Sequence, residues 1–278
     1  MNNLKEKVME YVFLAAACMS IFAVVLICLF LFANGIPAMG KIGLFDFLLG
    51  TKWKPNNNVF GIMPMILGSI YITAGAIIVG VPAGVLTAVY LAKFCPPKIY
   101  KVLKPAIELM AGIPSIVYGL FGALFFVKFL HWNLSLMSGA FTLAIMVLPL
   151  IMRTTEEALM SVDDSYREGS FGLGAGKLRT VFVIILPAAA PGILSGVILA
   201  IGRIVGETAA LIFTAGTVAK IPTSAFDSAR TLAVHMYALY SEGLYMNQAY
   251  ATAVILLVTV IIINALSVAV VKKFAKGK

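Results

Sequence analysis

Long apolar blocks alternate with short clusters of charge along this chain, and no polar face recurs at the helical period inside the blocks. Soluble helices carry an apolar stripe and half-buried strands alternate, so neither pattern describes these segments. An α-helix needs about 20 predominantly apolar residues to cross the hydrocarbon core of a bilayer. Six blocks reach or approach that length: residues 11–33, 62–92, 106–130, 136–152, 190–213 and 249–271. The pattern predicts an all-α fold, a polytopic membrane helix bundle of about six transmembrane helices. It places the whole chain, 1–278, in one transmembrane domain. The second block is long and carries Pro64 and Pro82, which predicts a tilted or broken span. The first apolar run is longer than the roughly 7–15 residues of a signal-peptide core, so it reads as a retained span.

Composition agrees. The chain is 61% hydrophobic and only 12% charged, against about 25% charged in a soluble domain. Its net charge of +9 is distributed unevenly between the loops. Lys5, Lys7, the group from Lys93 to Lys104, the group from Arg153 to Arg179 and the C-terminal lysines fall on one side of the predicted spans. Lys41, Lys52, Lys54, Lys128, Lys220 and Arg230 fall on the other. The positive-inside rule then puts both termini in the cytoplasm, as an even number of spans requires. No basic patch interleaved with aromatics suggests nucleic acid. Cys18, Cys28 and Cys95 lack metal-ligand spacing and read as small hydrophobes.

Two external loops are long, 34–61 and 214–248, and each is read either as a surface for an external partner or as plain connection. The internal segment 153–187 is amphipathic: too polar to span, too apolar to be free in water. It predicts short helices resting on another surface.

The chain does not bind ATP by a P-loop. Gly35 to Lys41 matches until Ile42 stands where the magnesium-binding hydroxyl belongs, and Gly174-Ala175-Gly176-Lys177 lacks the first glycine and is followed by Leu178. His131 and His235 suggest no catalytic or metal site, so no catalytic residue and no metal are expected. Gly80/Gly84, Gly192/Gly196 and Gly202/Gly206 sit at the spacing that lets membrane helices approach closely. The sharpest signal is Arg203 with Glu207, four residues apart in the fifth block and therefore expected on one helix face. A charge at a bilayer centre costs about 2.5–3.5 kcal/mol on insertion scales. Two readings stand: a mutual ion pair or tie to a neighbouring helix, and a role lining a substrate path. Arginine suits an anion with several oxygens, Glu207 would hold it in place, and Thr208 adds a hydroxyl.

The internal segment reads Glu168-Gly169-Ser170, then Gly174, then Ile184-Ile185-Leu186-Pro187. This resembles the EAA loop of ABC importer permeases, with the alanines replaced by the small residues Gly169 and Ser170. The string from Glu108 through Gly112-Ile113-Pro114-Ser115 to Gly122, and Arg203-Ile-Val-Gly-Glu207-Thr-Ala209, resemble the span-three and span-five signatures of the phosphate permeases PstA and PstC. Arg153-Thr-Thr-Glu-Glu-Ala-Leu159 looks like PstA and Trp53-Lys-Pro55 more like PstC; the more specific strings favour a PstA type.

The resemblance implies a type I, MetI-like permease fold, with a core at 62–271 and a cytoplasmic coupling loop at 153–187. In the family that loop docks on an ATPase, which carries ATP and magnesium while this chain binds no cofactor. The coupling residues carried over are Glu168, Gly169, Ser170, Gly174, Leu186 and Pro187. The resemblance implies Arg203 and Glu207 in the phosphate path. The residues themselves add Thr208, Ser115 at a proline–glycine interruption of span three, and Tyr118 about one turn on. Expected partners are a second permease subunit, PstB-like ATPases, an extracytoplasmic PstS-like phosphate-binding protein and membrane lipid, in a prokaryotic cell membrane. A permease for sulfate, molybdate or tungstate, a stand-alone secondary transporter, and a scaffold remain as alternatives.

Overall fold

The computed structural model describes residues 2–276. It opens with a 41-residue helix, α1 (Asn2–Ile42), whose most apolar stretch is not buried by any other described residue. A helix apolar all round with its surface uncovered has lipid or another membrane protein as its solvent. Only its C-terminal part packs, where Gly35 lies against Val254 and the Tyr250 carbonyl. Because α1 runs on to Ile42, the stretch 34–61 is mostly ordered rather than loop. It continues into α2 (Leu44–Leu49) and a small hairpin of β1 (Trp53–Lys54) and β2 (Val59–Phe60), with Trp53 opposite Phe60.

Next comes α3 (Met63–Val89), which continues as a π-helical turn through Phe94 without a break. Pro64 lies in the first turn, where its missing N–H is no loss, and Pro82 does not interrupt the run. The third span is broken: α4 (Pro97–Ala111) and α5 (Ser115–Gly122, continuing as a π-helix to Phe129) meet at 97°. The expected span 106–130 is therefore divided by the bend between the end of α4 and the helix 115–129. Then α6 (Leu136–Met160) starts at a Ser135 cap and outlasts the predicted 136–152, since Arg153, Glu156 and Glu157 stay helical after leaving the apolar region.

As a result 153–187 contains little loop. It holds the end of α6, the helix α7 (Asp164–Gly172) and the start of a continuous 29-residue helix, Lys177–Val205. That helix is α8 (Lys177–Arg179), a π-helical turn and α9 (Leu186–Val205). It ends at Val205, and α10 (Ala209–Thr214) begins after a three-residue interruption. This corrects the expectation of a continuous fifth span over 190–213. Finally α11 (Leu232–Glu242) packs within the second long loop and α12 (Met246–Lys276) returns across the bundle.

The core lies where α3, α6 and α9 meet, around Ile72, Leu143, Val147, Ile151 and Ile204. Lipid tails are as apolar as Leu, so close backbone approach rather than hydrophobic transfer holds such helices together. Gly84 meets Ile151, Gly192 meets Ala158 and Gly196 meets Thr154, so two of the three glycine pairs pack on α6. Near the broken spans Gly119 of α5 lies on the backbone of Ala210 of α10, where a Cβ would come 2.7 Å from the Ala210 Cα. Gly119→Leu is therefore expected to destabilise the fold by about 1–3 kcal/mol, read as thermal unfolding in detergent. Gly40→Leu, at an open position, is expected to leave it unchanged.

Candidate functional site

Gly119 faces Ala210 and Gly122 faces Thr214, so α5 and α10 run side by side in the same direction. Both begin directly after a break, one at 112–114 and one at 206–208. The two interruptions therefore share one region of the bundle. Arg203 stands there in the last turn of α9. Its side chain is exposed, and among the described residues it makes no hydrogen bond and no ion pair; its charge reaches the Tyr118 ring. Of the glycines beside it, Gly206 is exposed and meets only its own helix, while Gly202 is half-buried and faces Asn264 of α12 at van der Waals distance.

Glu207 is not on the Arg203 helix face, because α9 ends at Val205. Its Oε1 accepts from the Ala210 backbone N–H at 3.1 Å and so caps α10. The mutual ion pair, one of the two readings of the sequence, is not formed. Thr208 turns elsewhere, lining a cavity of about 280 Å³ with Leu31, Met236, Tyr237, Tyr240 and Tyr250. Ser115, half-buried, is the first residue of α5. Tyr118 is buried, and its hydroxyl donates to the Met110 carbonyl at 2.8 Å, bracing the break rather than facing an open space. The structure thus gathers Arg203, Glu207 and Ser115 around the two breaks, spends the Tyr118 hydroxyl on backbone, and sends Thr208 into a separate cavity.

At the other end of the Lys177–Val205 helix lies the α7 segment. Ser170 is buried and its hydroxyl meets that of Thr180 at 2.8 Å, while Thr180 donates to the Gly176 carbonyl. This ties α7 to the base of the long helix. Gly174 has φ +81, in the left-handed region, and open space around it. Glu168, Gly169 and Phe171 are exposed, and Leu173 is 92% exposed. Leu186 is half-buried and Pro187 exposed, both in the first turn of α9. One continuous helix of about 40 Å therefore joins this exposed apolar knob to Arg203.

Two polar clusters carry no signal that the sequence reading used. Glu156, 4% exposed, accepts from Tyr100 Oη at 2.5 Å and from Lys104 Nζ at 2.6 Å, holding α4 to α6. Hydropathy alone assigns Thr154-Thr155-Glu156-Glu157 to a loop, and gives no sign of this contact. In the second long loop, His235 is fully buried, its Nδ1 3.2 Å from Arg230 Nη1 and its ring edge-on to Trp53. Burial and the Arg230 charge push its pKa from 6.5 down to about 3. Above pH 6.5 neither folded nor unfolded chain protonates this ring. Between 6.5 and about 3 only the unfolded chain does, so acid destabilises the fold over that window. The slope of unfolding temperature against pH there is expected to shrink in His235→Gln.

Residues 80–277 match the family described as binding-protein-dependent transport system inner membrane component. The probable ABC transporter permease protein YqgI of Bacillus subtilis (strain 168) is 33% identical over 266 residues, 89% of each chain. The phosphate transport system permease protein PstC of Mesorhizobium japonicum is 31% identical over 265 residues, 85% of this chain and 81% of its own. The phosphate transport system permease protein PstA 2 of Mycobacterium tuberculosis (strain CDC 1551 / Oshkosh) is 39% identical over 163 residues, 59% and 54%. Among solved structures, the inward facing MetNI methionine ABC transporter superposes with a TM-score of 0.61 at 19% identity, covering 77% of this chain and 94% of that one. A bacterial ABC transporter involved in the import of alginate gives 0.65 at 14% identity, covering 93% and 95%. The bundle thus has the MetI-like permease fold.

Proposed function

This chain belongs to the family of inner membrane components of binding-protein-dependent transport systems, and from that membership we propose that its substrate is phosphate. It is a multi-pass permease of the ABC importer type and not itself catalytic. The observation that carries the substrate reading is Arg203: a permanent cation, unpaired among the described residues, beside two breaks in membrane helices. Such a charge cannot rest against hydrocarbon at low cost, so another protein surface or water covers it. A guanidinium presents a planar fork matched to the oxygens of a tetrahedral anion. Glu207 is the discriminating group. An ionised carboxylate only accepts hydrogen bonds; phosphate at neutral pH still carries a P–OH to donate, whereas sulfate and molybdate carry none. The relatives named phosphate permeases support the same choice.

The path then runs between this chain and a second permease. Two ATPase subunits, holding ATP and magnesium, dock on α7, and an extracytoplasmic protein delivers phosphate to the opposite face. Both termini and α7 lie in the cytoplasm, on the side that carries most of the basic residues. Closing the ATPases moves α7, the Ser170–Thr180 tie passes that motion to the long helix, and Arg203 moves with its far end.

Reconstitution of the whole assembly in liposomes tests this. Radiolabelled phosphate is expected to accumulate only with ATP and the binding protein, and a tenfold excess of sulfate or molybdate is expected not to compete. Equal competition by those anions contradicts the phosphate assignment. Transport by this chain alone, without ATP, contradicts the ABC mechanism.

A further inference from the structure

We propose that α4 is an in-plane membrane helix that docks on anionic lipid headgroups through Lys98 and Lys101. The inference needs neither the substrate nor the orientation proposed above. Because α4 meets the crossing helix α5 at 97°, it runs along the membrane plane where α5 runs through it. Its depth is set by Glu156, one turn before the end of α6 at Met160, to which Tyr100 and Lys104 are bonded. That is the level at which the apolar run of α6 gives way to Arg153, Glu156 and Glu157.

At about 100° per residue the helix surface divides into three sectors. Tyr100, Lys104 and Ile107 are half-buried and face α6. Ile99, Val102, Leu103 and Leu109 form a contiguous apolar sector that none of the described residues covers, with Val102 71% and Leu109 74% exposed. Between these lies a polar sector with Lys98, Lys101 and Glu108, all exposed. A soluble face would not hold four large apolar side chains in a row, and a spanning helix would not carry two unpaired lysines along one side. The order protein, apolar, cationic is that of a helix half-sunk in a headgroup layer. The lysine stems lie along the apolar boundary while their ammonium groups reach the anionic surface. Glu108 is the one acid on α4, and the Arg153 charge is within its range, so the sector presents net positive charge. Anionic headgroups complement it; a bilayer of neutral lipid does not.

The test uses the full-length chain in vesicles of phosphatidylcholine and phosphatidylglycerol, with Cys18, Cys28 and Cys95 replaced by Ser. Nitroxides go on Val102→Cys, Leu109→Cys, Lys98→Cys and Lys101→Cys, one at a time. Val102 and Leu109 are expected to collide with oxygen, and Lys98 and Lys101 with a water-soluble nickel chelate. Nickel collisions at 102 and 109 overturn the proposal, and so does protection from both quenchers, the sign of a second protein copy on that face. Independently, Lys98→Gln and Lys101→Gln are expected each to lower the preference of spin-labelled phosphatidylglycerol over phosphatidylcholine at the protein surface by about fivefold. An unchanged preference overturns the headgroup contact.

Discussion

Arg203→Gln is expected to abolish phosphate accumulation by the assembled transporter while leaving the amount of chain in the membrane unchanged. The two halves of this result have separate physical grounds. The guanidinium forms no hydrogen bond or ion pair among the described residues and is exposed, so its removal breaks nothing inside the chain. A surface substitution of that kind moves stability by no more than about 0.5 kcal/mol. Its contacts to a multiply charged oxyanion are another matter. Each charge-assisted hydrogen bond contributes about 1.5–3 kcal/mol, so losing two of them lowers uptake by about a hundredfold or more. Arg203→Lys keeps the charge and loses the fork, and is expected to fall between the two. Uptake rate and immunoblotted membrane content, measured on the same vesicles, separate the effects. Unchanged uptake in Arg203→Gln contradicts the substrate-path assignment.

Replacing Gly174 by valine is expected to uncouple ATP hydrolysis from transport. With φ at +81, Gly174 occupies a conformation in which an L-residue's Cβ crowds the following carbonyl oxygen, at a cost of about 1–2 kcal/mol, and β-branching adds to it. The surroundings are open, so the cost comes from the backbone alone and not from a clash. The turn relieves it by rotating, and rotation shifts α7 off the Ser170–Thr180 tie. Phosphate uptake is expected to drop about tenfold, the equivalent of ~1.4 kcal/mol, and the ATPase rate to lose its dependence on the loaded binding protein. Asparagine tolerates the left-handed region, so Gly174→Asn is expected to keep most of the uptake. Equal activity of the valine variant and the unsubstituted chain contradicts a coupling role.

How much of this was legible depends on what lipid enforces. A spanning helix must satisfy its own backbone, so each apolar block announced a span independently of the rest. Hydropathy marks the membrane, however, and not the helix. Arg153, Glu156 and Glu157 looked like the start of a loop, yet the helix ladder continues through them to Met160. The break at 112–114 was readable because glycine and proline together leave amides unpaired. The 97° turn was not, since the contacts that accompany it, Tyr100 and Lys104 on Glu156, join helices more than 50 residues apart in the chain.

The break at 206–208 was misread for a related reason. A single glycine in an apolar run is tolerated inside a membrane helix, so Gly206 gave no warning. Charge reasoning paired Glu207 with Arg203, whereas the local competition is won by the Ala210 N–H that Glu207 caps. Tyr118 was expected to offer its hydroxyl outward, but the carbonyl freed at Met110 by the break lies closer.

In the proposed mechanism Arg203 faces a water-filled passage that phosphate enters. The direct test is Arg203→Cys in an otherwise cysteine-free chain, within the assembled transporter. The account predicts that a charged, membrane-impermeant thiol reagent modifies this cysteine and that phosphate, but not chloride, slows the modification. Labelling only by a lipid-soluble maleimide, at a rate indifferent to phosphate, would contradict it.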